Sequence, residues 1–86
     1  MKGVINDQTK ELQNIIELDE ESQAYFRNQY PSLSDCRFFS IECRENPEIY
    51  AKFASYTGSV VLLEPFYMRD KLTEMISSAA EKYRSI

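Results

Sequence analysis

Eighty-six residues, 43% of them hydrophobic, make one small domain, because a chain of this size cannot support two separate cores. Fourteen acidic against ten basic residues give a net charge of −4 and a pI near 4.8, the wrong sign for holding phosphates by counterion release, which argues against direct nucleic-acid binding. The absence of histidine removes the commonest general base and zinc ligand, and with them Ser-His-Asp, Cys-His and His-based metal chemistry.

In chain order, residues 1–10 are polar apart from Val4 and Ile5 and show no period; they read as a flexible lead or a linker stub, leaving 11–86 as a single α+β domain. Leu12 to Leu18 alternates as a strand would, with a helix as the competing reading. Asp19-Glu20-Glu21-Ser22 places acids at the positive end of a helix dipole, and Ala24 to Gln29 continue that helix up to Pro31, with Phe26 and Tyr30 on its buried side. Ser32 to Asp35 is turn material, and whether Tyr30 to Leu33 forms a strand of its own is left open.

Cys36 to Arg44 alternates cleanly, with Phe39, Ile41 and Cys43 inward and Ser40, Glu42 and Arg44 outward. Asn46-Pro47-Glu48 supplies cap, first-turn proline and early acid for a helix on which Ile49, Phe53 and Tyr56 recur, until Gly58 offers a left-handed stop. Val60-Val61-Leu62-Leu63 is a strand apolar on both faces, ended by Pro65. Met68, Leu72, Met75, Ile76, Ala79 and Tyr83 then form the stripe of an amphipathic last helix.

This order predicts a two-layer α+β sandwich of ferredoxin-like type, β-α-β(-β)-α-β, with a C-terminal amphipathic helix. If both internal helices cover one sheet face, the other presents Ile15, Phe38, Val60 and Leu62, a patch to be covered by the last helix or by a second chain. Tyr50 and Tyr67 fall beside the helical stripes rather than on them, which makes them interface candidates as well.

Other groups carry less. Cys43 reads as a small core hydrophobe and Cys36 as an exposed free thiol without a neighbouring base. The acids Glu17, Asp19, Glu20 and Glu21 lack the glycine and ligand spacing of a calcium loop. Arg37, Arg44 and Arg69 are too scattered for a phosphate site. No residue pair supplies both a nucleophile and a base, so no catalytic, cofactor or metal residue is expected. Nor does any stretch have the length of a membrane span or a signal-peptide core, and a cytoplasmic chain is the expectation.

Val60 to Leu72, with Leu63-Glu64-Pro65 before Met68-Arg69, and Tyr83 near the end resemble the end of the WYL-domain transcription regulators of bacteria. The layout of residues 11 to 84 is similar to that family's C-terminal extension, the WCX domain. The resemblance implies a non-enzymatic regulatory module acting through homodimerisation or contact with neighbouring regulator domains. The family's DNA and ligand residues do not carry over, since the chain has no tryptophan and no Trp-Tyr-Leu segment. The alternative is a ferredoxin-like sensor binding a small molecule between sheet and last helix or at a dimer seam.

Overall fold

The computed structural model describes residues 1–9, 11–56 and 58–86. It runs β1 (Lys2–Asp7), β2 (Ile15–Glu17), α1 (Glu20–Gln29), a 3-10 turn (Pro31–Leu33), β3 (Arg37–Glu42), α2 (Pro47–Ser55), β4 (Val60–Glu64) and α3 (Phe66–Arg84). The strands make one sheet in the order β2-β3-β1-β4, antiparallel at every pairing. The class is α+β, a four-stranded antiparallel sheet with three helices, of which the last is C-terminal.

The start of the chain requires a correction. Lys2–Asp7 is no lead but an inner strand, with Ile5 opposite Phe39 on one side and Leu62 on the other; Lys10, the end of the expected lead, lies outside the described residues. The strand lacks an apolar signature because its polar residues are used structurally. Buried Asn6 donates from Nδ2 to the carbonyls of Leu33 and Arg37 at 3.3 and 3.4 Å, and Asp7 Oδ1 accepts from the N–H and hydroxyl of Thr9 at 2.7 and 2.8 Å. A Cβ at Gly3 would run into the Glu64 carbonyl oxygen, so glycine lets β4 approach β1 closely.

The strand expected over Leu12–Leu18 shrinks to Ile15–Glu17. Asn14, at φ 62°, turns the chain just before it, a left-handed conformation that asparagine tolerates. Leu12 leaves strand geometry but still enters the main core, whereas Ile16, at the sheet edge, is 71% exposed.

The helices follow their local signals. Asp19 caps α1, accepting from the Ser22 N–H at 2.8 Å, and this hydrogen bond holds its carboxyl below the usual range. Asn46 caps α2 through the Ile49 N–H, with Pro47 at its first turn. Tyr30 ends α1 and Pro31–Leu33 is a 3-10 turn, not a strand. Gly58 has φ 94° as its left-handed role requires.

Helices cover both sheet faces, which corrects the one-sided expectation. Ile5, Phe39, Ile41, Val60 and Leu62 pack with Tyr50 and Phe53 of α2 and Met68 and Leu72 of α3. On the opposite face Phe38 and Leu63 meet Phe26 of α1, the Phe26 and Phe38 rings 5.6 Å apart. Fully buried Gln23 locks α1 onto β3: its Nε2 donates to the Phe38 carbonyl at 2.7 Å and its Oε1 accepts the Phe38 N–H at 2.9 Å. It pairs with β3 as one more strand residue would, just where β2 has ended.

Candidate interaction surface

The expected apolar patch does not exist as a surface. Phe38, Val60 and Leu62 are 0%, 4% and 2% exposed; strand alternation turns Phe38 toward α1 and the other two toward α2 and α3. Ile15 is half-buried against the main core. The chain covers both faces itself, and α3 does so on the Val60 and Leu62 side. The space between sheet and last helix, where a sensor would hold its ligand, is filled by Met68 and Leu72.

Tyr50 and Tyr67 are brought together, through an acid that the sequence did not single out. The Tyr50 hydroxyl donates to Glu45 Oε2 at 2.9 Å and the Tyr67 hydroxyl to Oε1 at 2.5 Å. Lys71 Nζ stands 3.7 Å from the same carboxylate and 5.5 Å from the centre of the Tyr50 ring. The Tyr67 hydroxyl above all, then that of Tyr50 and the nearby Lys71 charge, holds the Glu45 carboxyl below its ordinary range. Burial, with the Glu45 hydrogen bond and charge, pushes Tyr50 up to about 12. Tyr50 itself is buried, while Tyr67 is 54% exposed. The cluster ties the loop before α2 to the first turns of α3.

Arg37 and Arg69 are engaged elsewhere. Arg37 forks between Glu17 and Glu20, at 2.8 and 2.6 Å. Arg69 donates to the Tyr30 hydroxyl at 3.1 Å and lies 4.6 Å from the centre of the Phe66 ring. The thiols of Cys36 and Cys43 are free and half-buried, and burial pushes that of Cys43 up. Among the described residues no group of three or more His, Cys, Asp or Glu could hold a metal ion, and no helix is long and apolar enough to cross a membrane.

The surface that stands out is the outer half of α3. Only Met68 and Leu72 of this 19-residue helix are buried. Beyond Leu72 the stripe continues without cover: Met75 is 44% exposed, Ile76 51% and Tyr83 77%, with Ala79 exposed between them. At about 3.6 residues per turn these residues lie on one side of the helix, in line with the two that enter the core. Beside them an open groove of about 830 Å³ is lined by Glu45, Pro47, Tyr50, Lys71, Met75 and Ala79, among others. The periodicity legible in the sequence thus belongs to one stripe with two fates, core at its start and open surface at its end. No family model, curated protein or solved structure matches this chain.

Proposed function

We propose that the chain is a non-enzymatic protein-interaction module whose binding element is the outer half of α3. One observation carries this reading: an apolar stripe at helical spacing that leaves the domain's own core and continues over Met75, Ile76, Ala79 and Tyr83, all of them exposed. A helix without tertiary packing is marginal in water, since most helical stability in proteins comes from burying an apolar face. A partner laid on this stripe supplies that burial. The resemblance of Leu63-Glu64-Pro65 and Met68-Arg69 to the WCX extension gives the reading a setting, an accessory domain of a transcription regulator. In that setting the module acts by homodimerisation or by contact with neighbouring domains.

The test separates a binding surface from a folding core. Measured at concentrations too low for any self-association, where no partner adds to stability, Ile76→Glu and Tyr83→Glu are expected to leave urea-unfolding stability within about 0.5 kcal/mol of the parent, as surface substitutions do. A loss above about 2 kcal/mol, the range of buried-site substitutions, would place the stripe inside the chain's own core and overturn the reading.

A further inference from the structure

The molecule as a whole has surface to spare, and its charge distribution favours α3 as the place to bury it. The molecule exposes 6077 Å², whereas a compact monomer of 10.1 kDa exposes about 5,300 Å² by the surface scaling law. The excess, about 800 Å², equals one side of a standard protein interface. The radius of gyration of 13.4 Å likewise exceeds the value near 12 Å of a compact chain of this length, and the long axis reaches 45 Å. Charge selects the meeting place. α3 carries Arg69, Lys71, Lys82 and Arg84 against Asp70, Glu74 and Glu81, one positive charge in excess, while the rest of the chain has six basic and eleven acidic residues. Two acidic copies repel least through α3, and on the helical wheel its three acids fall on the side away from the stripe.

We infer that the partner on this stripe is a second copy of the chain, bound by antiparallel pairing of the two outer α3 halves about a two-fold axis near Ala79. This rests on the interaction reading above and names its partner. A parallel arrangement would set the two domains, each net acidic outside α3, side by side at one end of the helix pair. The antiparallel one sets the domains at opposite ends and overlaps only the projecting halves. With the crossing at Ala79, Tyr83 of each copy faces Met75 and Ile76 of the other, large residues around the smallest one, where helix axes can approach most closely. Each helix tip then lies toward the groove beside Pro47 and Tyr50 of the other copy. A contact between identical patches is isologous and closes at two copies.

The experiment uses the full chain with Cys36→Ser and Cys43→Ala, carrying either Ala79→Cys or, on the back of the helix, Ser77→Cys. Mild oxidation should yield a covalent dimer from Ala79→Cys and little from Ser77→Cys. Ile76→Glu, with native circular dichroism, should raise the dimer dissociation constant at least about 30-fold. A dimer that survives Ile76→Glu, or that cross-links as readily at 77 as at 79, overturns the pairing. A chain monomeric at every concentration overturns it as well. If that monomer's stripe variants keep full stability, only the second copy fails as the partner; if they lose stability, the interaction reading fails with it.

Discussion

At the scale of single residues, side chains with little apolar signal hold the fold's joints. Gln23 satisfies both backbone groups of Phe38 and also donates to the Leu18 carbonyl at 3.1 Å. Gln23→Leu keeps the volume but removes the partner of the Phe38 N–H and of the Leu18 carbonyl, while the Phe38 carbonyl keeps the Leu18 N–H at 3.1 Å; each buried group left unsatisfied costs about 1–3 kcal/mol. Urea unfolding should show a loss of about 2–4 kcal/mol, and a loss below about 0.5 kcal/mol would contradict the lock. The Glu45 cluster makes a pH prediction with two limbs. The Tyr50 pKa is raised from 10.0 to about 12, so its contribution to stability is complete below pH 10 and fades as pH rises toward 12. The Glu45 pKa is lowered from 4.5, so its contribution is present above that value and is lost as pH falls below it. Tyr67→Phe should bring the Glu45 pKa, read by NMR titration, back up toward 4.5, since the Tyr67 hydroxyl is the largest cause of the shift. An unchanged value would contradict the clasp.

At the scale of elements, signals that act within one turn or one alternation were legible and those set by distant partners were not. Asp19, Asn46, Pro47 and Gly58 announced the ends of α1 and α2 because caps and stops are local chemistry. β3 and β4 were legible because Phe38 to Ile41 and Val60 to Leu63 supply apolar residues to both faces. β1 was hidden because its buried Asn6 and Asp7 read as solvent-facing, and their partners are Leu33 and Arg37 in one case and Thr9 in the other. Ile15, Phe38, Val60 and Leu62 do not share one open face for a related reason: the register that turns Phe38 away from the other three is set by pairings between distant strands. Tyr50 and Tyr67 were singled out, yet their meeting at Glu45 spans 22 residues and leaves no local trace. β1 also makes a direct prediction. It is hydrogen-bonded to β3 on one edge and β4 on the other, so a chain lacking residues 1–7 should lose its cooperative thermal transition. Retention of that transition with native circular dichroism would contradict an inner strand.

At the scale of the whole molecule, two well-covered sheet faces contrast with one uncovered half-helix. The sheet needs no partner, because α1 closes one face and α2 with α3 closes the other. The stripe of α3 outruns the core on which it begins, and on the reading proposed above this exposed half is where the chain associates. Sedimentation equilibrium of the unmodified chain over a wide concentration range, run beside Tyr83→Glu, tests that claim most directly. The account predicts a concentration-dependent rise from the monomer mass of 10.1 kDa to twice that value, with Tyr83→Glu remaining at the monomer mass. A chain that stays monomeric at the highest concentrations, or a dimer indifferent to Tyr83→Glu, would contradict it.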